Sequence, residues 1–272
     1  MRPTLWLNDG AAKWYDVTAS AMPDDTITCN PNAMKAADLD GDGDLDLAYC
    51  DAIDDKVSVR KNNGAGVFGA QAAYDIEAAG APRHIATADV DGDGEVDIYV
   101  TPQYGPGVVV LYGVGGGLFD GLGEQLISFS ANTYQGVIAD FNGDGEVDVA
   151  VSDHGNEQVA VRLGAGPSEF NAMIFKFPTA EKDPYPLVMG DYNADGIPDL
   201  ATTNHFPPST IDIFIGDGDG LFYDAVSFPA LPYGWAMDAG DLNEDGIPDL
   251  VAVASEINDF MDNGLTVLLS DP

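Results

Sequence analysis

Acidic residues recur along the sequence in five nine-residue segments with nearly the same spelling. Each segment begins and ends with Asp, has Asp or Asn at its third position, Asp at its fifth and Gly at its sixth. The first residues of the segments lie 51, 51, 51 and 50 positions apart. The segments are DLDGDGDLD (38–46), DVDGDGEVD (89–97), DFNGDGEVD (140–148), DYNADGIPD (191–199) and DLNEDGIPD (241–249). Such constant spacing indicates a structural repeat.

Oxygen-bearing residues at alternate positions of a short loop are suited to calcium, which takes roughly 6–8 oxygen ligands in a flexible shell. Positions 1, 3, 5 and 9 offer side-chain oxygens, position 7 offers its backbone carbonyl, and the glycine at position 6 permits a sharp turn. Carboxylates this close would repel one another strongly without a metal. About five calcium ions are therefore predicted. The predicted ligands are Asp38, Asp40, Asp42, Asp44, Asp46; Asp89, Asp91, Asp93, Glu95, Asp97; Asp140, Asn142, Asp144, Glu146, Asp148; Asp191, Asn193, Asp195, Ile197, Asp199; Asp241, Asn243, Asp245, Ile247 and Asp249.

Two other metal-loop interpretations fail on the residues that follow. An EF-hand needs a glutamate at loop position 12 and flanking helices. Here position 12 is occupied by Tyr49, Val100, Val151, Thr202 and Ala252, and the flanking segments have strand character. EF-hand and dockerin loops are therefore excluded. Magnesium fits poorly, since it retains several waters rather than accept an all-protein cage.

The chain is strongly acidic, with 46 Asp and Glu against 10 Lys and Arg and a net charge of -36. The five loops hold 21 of the 46 acids, so almost half of the acid is clustered as metal binding requires. Five divalent ions would still leave a charge of -26, and adaptation to salt is one explanation of the excess. A surface of this sign repels nucleic-acid phosphates and anionic lipids, so neither partner is expected.

Four short apolar or alternating segments, separated by glycine turns, make up each repeat. In the third copy, Val149–Val151 leaves the loop and Val159–Val161 follows as an alternating strand. No helical period and no apolar run of membrane-spanning length is found. Four antiparallel strands at this pitch predict an all-β fold, a β-propeller of five four-stranded blades in a single domain over residues 1–272.

The two ends of the chain are predicted to close this ring. Residues 4–10 and 14–17 match the third and fourth strands of a blade, and the chain stops after a third strand at 265–269. The N-terminal segment would then complete the last blade. This count leaves one surplus third strand, which lies at an edge or makes the chain part of a larger propeller.

These repeats resemble the FG-GAP/VCBS calcium-binding propeller repeats, which are related to those of integrin α-subunits. The likeness rests on the five loops, on Asp-Gly-Ile-Pro-Asp-Leu at Asp195 and Asp245, and on Leu-Trp-Leu-Asn-Asp-Gly near the start, and it covers nearly the whole chain. It implies that each calcium loop joins the first two strands of a blade and is structural. Propellers of that family often have seven blades, and five is a departure.

Less regular residues lie at the end of the blades opposite the calcium loops. Asn32, Arg83, Tyr134, Tyr185 and Trp235 each stand six residues before a loop and would surround the channel mouth of a closed ring. Aromatic and amide side chains together suit a sugar, whose apolar face stacks while its edge forms hydrogen bonds. The alternative is that these aromatics only plug the channel. The predicted ligand-binding residues are Arg83, His84, Tyr134, Tyr185, Tyr233, Trp235, His154 and His205, with Gln103, Tyr104, Gln135 and Phe206 nearby.

An enzyme is the second interpretation of the same face. His154 and His205 occupy equivalent positions in adjacent repeats. They are either solvated loop histidines or a base and a partner acid of a polysaccharide lyase or hydrolase, with Arg83 or Tyr185 steadying a carboxylate. No nucleophile and no paired catalytic acids stand out, so no catalytic residue is assigned.

The two cysteines and the calcium loops bear on the cellular location of the protein. Cys29 and Cys50 flank the first loop and form either a disulfide, which fits an extracytoplasmic protein, or two buried thiols. No signal peptide is visible, but modest calcium loops suit extracellular calcium. The sequence thus predicts a secreted, surface-displayed or periplasmic binding or adhesion module for glycan or protein. A carbohydrate-active enzyme and a structural piece of a larger surface protein are the alternatives.

Overall fold

Each acidic repeat folds into one antiparallel sheet. The computed structural model describes residues 6–8, 13–16, 18–21, 31–76, 81–102, 105, 107–120, 125–129, 132–254 and 264–270. Within a sheet the strands are hydrogen-bonded in chain order, so the first strand lies at one edge and the last at the other. The acidic loop joins the first strand to the second in every repeat, as the family resemblance implies.

The strands of these five sheets are numbered in chain order. The first strands are β3 (Pro31–Ala37), β7 (Pro82–Ala88), β11 (Thr133–Ala139), β17 (Pro184–Gly190) and β21 (Gly234–Gly240). The second strands are β4 (Asp46–Asp51), β8 (Asp97–Pro102), β12 (Asp148–Asp153), β18 (Asp199–Asn204) and β22 (Asp249–Ala254). The third strands are β5 (Lys56–Arg60), β9 (Gly107–Leu111), β13 (Gln158–Arg162), β19 (Thr210–Phe214) and β23 (Gly264–Leu268). The fourth strands are β6 (Ala72–Asp75), β10 (Gln125–Ser128), β16 (Phe175–Pro178) and β20 (Val226–Pro229).

The remaining elements are short. β1 (Trp6–Asn8) pairs with β2 (Trp14–Asp16), and β14 (Gly164–Gly166) pairs with β15 (Glu169–Phe170). Helical residues in the described ranges are confined to α1 (Thr18–Ala21) and a 3₁₀ turn at 154–156. The predicted all-β class is confirmed. In the described part of the chain, no helix has the length and hydrophobicity to cross a bilayer.

The chain divides into two compact units, which are described separately. Unit 1 comprises Met1–Gln103 and Val109–Leu126, and unit 2 comprises Tyr104–Val108 and Ile127–Pro272. In unit 1, β3 contacts β7, and the core lies between the two sheets. This core contains the buried residues Leu39, Ala48, Cys50, Val57, Val59, Ile76, Ile85, Ile98, Val100, Val109, Leu111 and Phe119.

Unit 2 repeats this packing twice. The first strand β17 contacts both β11 and β21, so the edges of three successive sheets meet. Val159 and Val161 pack with Leu200 and Phe214 in one core, and Ala201 and its neighbours form the next. Every residue of β12 and β18 is buried, because these strands are covered on both faces. Sheets packed face to face with their first strands in contact are the arrangement of propeller blades.

Closure of a five-bladed ring stays a prediction. β1 and β2 form a sheet of their own, and the described residues supply three strands to the last sheet, β21–β22–β23. Parts of the predicted closing segment, at residues 4–5, 9–10 and 17, lie outside the described residues. The four-stranded repeat itself is confirmed in the first four sheets.

Candidate metal centres and an aromatic cluster

The acidic loops fold around their first aspartate. In the first loop, Gly41 N and Gly43 N donate to the two carboxylate oxygens of Asp38 at 2.8 and 2.9 Å. The bond from the position-6 glycine to the position-1 carboxylate recurs in the other four loops at 2.9–3.0 Å. All five position-6 glycines have φ between +84° and +92°, a conformation that residues with a Cβ rarely adopt. Glycine is therefore required at this position for the loop to close.

Carboxylates converge most closely in the first two loops. Each of these loops brings three carboxylate oxygens within 4.8 Å of one another. The oxygens belong to Asp38, Asp40 and Asp42 in the first loop and to Asp89, Asp91 and Asp97 in the second. A cation with oxygen ligands at roughly 2.4 Å spans such separations.

Two carboxyl groups of the second loop have raised pKa values. The pKa of Asp97 is raised to about 6: burial is the largest cause, the backbone hydrogen bonds oppose the rise, and the charges of Asp91 and Asp89 add to it. Burial is likewise the largest cause of the raised pKa of Asp91. A bound divalent ion would reverse these shifts, because it favours the ionised carboxylate. The residues present are therefore suited to a hard cation such as calcium.

The last three loops carry less charge at position 3. Here Asn142, Asn193 and Asn243 each donate a side-chain N–H to the position-5 carboxylate at 2.8–2.9 Å. At position 7 of every loop, the backbone N–H donates to the same carboxylate at 2.8–2.9 Å. These bonds hold the position-5 side chain inward. The carbonyls of Asp44, Glu95, Glu146, Ile197 and Ile247 stay predicted ligands.

The aspartate at position 9 is a structural anchor as well as a predicted ligand. All five are at most 1% exposed. In the fourth loop, Asp199 accepts Tyr192 N on one oxygen and Gly216 N on the other, both at 2.8 Å. Each counterpart accepts the position-2 N–H and the N–H of a residue just beyond the third strand, at 2.6–3.1 Å. The carboxylate thus ties the loop to the exit of the third strand.

Glycine is needed beside this anchor in three of the sheets. A Cβ on Gly113, Gly164 or Gly216 would lie 2.6 Å from the carbonyl oxygen of loop position 8. The backbone of the third-strand exit therefore approaches the loop more closely than any other residue type permits. Gly113 and Gly216 each form a β-bridge with a buried phenylalanine, Phe119 and Phe222, and Asn62 pairs with Phe68 in the same way in the first sheet.

At the other end of the sheets, each first strand has an irregular register near its second residue. The register shifts lie between Pro31/Met34, Pro82/His84, Thr133/Gly136, Pro184/Leu187 and Gly234/Ala236. The residues inside the shifts include Asn32, Arg83, Tyr134, Tyr185 and Trp235. A β-bulge re-aims the side chain that it carries, so the five predicted channel-mouth residues share one backbone feature.

Unit 2 brings the aromatic members of this set together around Tyr185. Tyr134 stacks on Tyr185 with ring centroids 4.3 Å apart and planes inclined by 6°. His205 stacks on Tyr185 at 4.3 Å and 24°. Trp235 lies 4.6 Å from His205 and 5.6 Å from Tyr185. Because Tyr134 and His205 both stack closely on Tyr185, they cover its two faces.

Two further rings extend this group. His205 is in edge contact with Phe206 at 4.9 Å and with Tyr233 at 5.4 Å. His205 itself is 5% exposed, whereas Phe206 is 46% exposed. We call the group the aromatic cluster; it consists of Tyr134, Tyr185, His205, Phe206, Tyr233 and Trp235. It therefore has a buried centre and an exposed aromatic margin.

A histidine–carboxylate pair borders the aromatic cluster. His154 Nδ1 lies 2.8 Å from Asp183 Oδ1, and the His154 ring lies 5.2 Å from that of Tyr185. Asp183 also accepts His205 N through its backbone oxygen at 2.9 Å. By contrast, His205 Nδ1 lies 3.2 Å from Gly234 O. Sequence reasoning missed Asp183, although an acidic residue directly before the strand-initiating Pro184 was a usable signal.

Arg83 and His84 belong to unit 1 and lie on β7. Gln103 and Tyr104 lie outside the described residues. His84 Nδ1 is buried without a hydrogen-bond partner among the described residues. Cys50 Sγ lies 4.0 Å from the backbone oxygen of His84.

The partly buried imidazole of His84, whose Nδ1 is fully buried, is expected to make the protein sensitive to acid. Burial, and then the charge of Lys35, lowers the pKa of His84 from 6.5 to about 4. The unfolded chain therefore binds a proton that the folded chain does not, and stability is lost as pH falls from about 6.5 to about 4, by up to about 3 kcal/mol. His84→Gln should remove this loss in denaturant unfolding measured across that range. A difference between variant and wild type that does not change with pH would contradict the expectation.

The buried-thiol alternative holds for Cys50. It is a free, buried thiol, and burial raises its pKa to about 12. Cys29, the other member of the predicted pair, lies outside the described residues. An inert thiol packed in the core of unit 1 gives no information on redox compartment.

Fold and site together define an all-β repeat protein of the propeller type, with an acidic loop in each of the five repeat sheets. The chain belongs to the FG-GAP-like repeat family, whose sequence profile matches residues 38–100, 140–202 and 191–252, more than half of the chain. A comparison with curated proteins found no significant match.

Solved structures share the fold at low identity. The V. cholerae biofilm matrix protein Bap1 is 21% identical with a TM-score of 0.50, over 77% of this chain and 30% of that one. An Agrocybe aegerita lectin described as recognising non-reducing terminal N-acetylglucosamine is 19% identical with a TM-score of 0.58, over 98% and 74%. The virginiamycin B lyase of Staphylococcus aureus is 13% identical with a TM-score of 0.52, over 89% and 71%. At these identities the likeness concerns the fold alone. The chain spans less than a third of Bap1.

Proposed function

We propose that the chain is a calcium-stabilised extracellular binding module whose aromatic cluster recognises a glycan. The observation that carries this proposal is the convergence of rings from three successive sheets, with Phe206 46% exposed at their margin. A pyranose can stack on such a margin and form hydrogen bonds with polar groups beside it. A protein ligand that inserts an apolar side chain is the other outcome of the test.

Calcium and an extracellular location form part of the same proposal. The carboxylate convergence of the first two loops supports a divalent cation. All 25 predicted ligand positions remain proposed ligands. A biofilm matrix protein and a lectin among the similar structures support a module that works outside the cell.

Glycan binding can be tested with Trp235→Ala. Removing this ring should weaken binding by up to about tenfold, since an aromatic stack contributes about 0.5–1.5 kcal/mol. The measurement is a glycan array followed by calorimetry on the best neutral oligosaccharide, in calcium. Tyr223→Ala is the matched control, because Tyr223 is a 62% exposed aromatic outside the aromatic cluster.

Each outcome of this test has a fixed meaning. Binding that is lost in Trp235→Ala and kept in Tyr223→Ala supports the aromatic cluster as the site. Equal affinity of the two variants would place the site elsewhere. If no glycan on the array binds, and a protein is captured whose binding is lost in Trp235→Ala, the ligand of the aromatic cluster is a protein and not a glycan.

A carbohydrate-active enzyme remains the second candidate, favoured by one observation. The 2.8 Å contact with Asp183 can orient the His154 imidazole beside Tyr185 as a general base. Incubation with uronic-acid polysaccharides, followed by detection of unsaturated oligosaccharides, tests a lyase. Product that is lost in His154→Ala would favour this candidate over a binding module.

The predicted five-bladed ring, over a single domain of residues 1–272 and closed by the N-terminal segment, also stays a proposal. Leu265, Val267 and Leu269 point to one face of β23 and its end, and each is more than 45% exposed. This apolar surface supports the proposal, because closure of the ring would pack another of its five blades against the surface.

A further inference from the structure

Lys61 places a positive charge of the protein itself at the first acidic loop. It directly follows β5, and its Nζ lies 3.4 Å from Asp40 Oδ2, with side chains 50% and 12% exposed. The same Nζ donates to Gly116 O at 3.2 Å. Asp40, at position 3 of the first loop, is therefore paired with an ammonium group that is also held by the backbone oxygen of Gly116.

The equivalent positions in the other repeats are neutral. They are Tyr112, Leu163, Ile215 and Leu269. The setting is otherwise similar. A Cβ on Gly117 would lie 2.8 Å from Lys61 Cδ and 3.1 Å from Asp40 Cβ, and one on Gly220 would lie 2.6 Å from Leu163 and 3.3 Å from Asn142. The first site differs from the third in its charges, because Lys61 and Asp40 stand where the third site has Leu163 and Asn142.

We propose that Lys61 competes with calcium for Asp40 and lowers the affinity of the first loop, so that the second loop binds calcium first. The inference rests on the proposed calcium binding. The second loop has an acid at all five odd positions, with Tyr112 in place of the lysine. The third to fifth loops have Asn at position 3, and their fewer charges attract calcium less strongly. The second loop therefore fills before the first loop and before the third to fifth loops.

The position-6 glycines provide a separate signal for each loop. Gly43, Gly94, Gly145, Gly196 and Gly246 all donate N–H to a position-1 carboxylate, which is itself a proposed ligand. In the full chain labelled with ¹⁵N-glycine, their amide resonances should shift as calcium is added. Gly94 should reach its midpoint first. If the metal-free chain does not stay folded, a chelator titration of the loaded chain gives the same order in reverse.

Lys61→Met should move the Gly43 midpoint to about three- to fivefold lower calcium, the effect expected from one partly exposed ion pair. The Gly94 midpoint should not move. Lys56→Met is the matched control. It removes the same charge from β5, where Lys56 pairs with Asp75 at 3.3 Å, away from the acidic loops.

Different results would contradict the role of Lys61 and the proposed calcium binding. Gly43 and Gly94 titrating together in the wild type, or equal shifts in Lys61→Met and Lys56→Met, would overturn the role of Lys61 and leave calcium binding intact. Position-6 glycines that do not respond to calcium would remove calcium binding itself.

Discussion

Asp199→Ala is expected to lower the free energy of unfolding by about 3–5 kcal/mol. The variant removes a buried carboxylate that accepts Tyr192 N and Gly216 N at 2.8 Å. Two N–H donors would be left unpaired in the interior, and each charge-assisted bond contributes about 1.5–3 kcal/mol. Denaturant unfolding, with and without chelator, measures the loss.

Two controls show whether this effect belongs to the anchor. Asp199→Asn keeps one acceptor oxygen and should lose roughly half as much. Asp224→Ala removes an exposed acid of the same unit and should change stability by less than about 0.5 kcal/mol. A loss for Asp199→Ala that is present with calcium and absent in chelator would show that position 9 acts only through the metal.

Removal of calcium is expected to lower the melting temperature by about 10 °C or more. A site that is occupied at ten times its dissociation constant adds about 1.4 kcal/mol of stability, and several such sites act together. Roughly 2 °C is gained per kcal/mol in a chain of this size. Differential scanning calorimetry with and without EDTA measures the change.

The ion that restores the melting temperature provides a second test. Excess calcium should restore the melting temperature, whereas magnesium should restore it only in part, because it binds reluctantly to an all-protein set of ligands. An unchanged melting temperature in EDTA would show that the hydrogen bonds within the loops hold them without a metal.

The repeat could be predicted because residues within each loop determine where the adjacent strands begin and end. The position-6 glycine and the position-9 aspartate are local signals, and the second strand begins at that aspartate in all five sheets. The alternating apolar segments then place the third strand, as at Val159 and Val161. Strand order followed from these spacings.

Contacts between repeats could not be predicted in the same way. The pairing of His154 with Asp183 joins the turn after β12 to the residue before β17, and these residues belong to different repeats. The contact of Lys61 with Asp40 likewise required the hairpin at Gly116 to be in place. Sequence identified His154 as a candidate, and packing supplied its partner.

Residue identity alone does not give the environment of a side chain, as two predicted ligand-binding residues illustrate. His84 stands next to Arg83 among the predicted ligand-binding residues, yet its ring nitrogen Nδ1 is buried in unit 1. Tyr185 is central to the aromatic cluster, but both of its faces are covered by Tyr134 and His205. The exposed ring of Phe206 is therefore the place where a sugar can stack first, with the partly buried ring of Trp235 close by.

The most direct test of the account is a crystal structure of the chain grown with calcium and measured for anomalous scattering. One anomalous peak is expected at each of the five loops, about 2.3–2.6 Å from the carboxylate oxygens at positions 1 and 5. Loops that hold the same hydrogen bonds but show no anomalous peak would contradict the central claim that they are calcium sites.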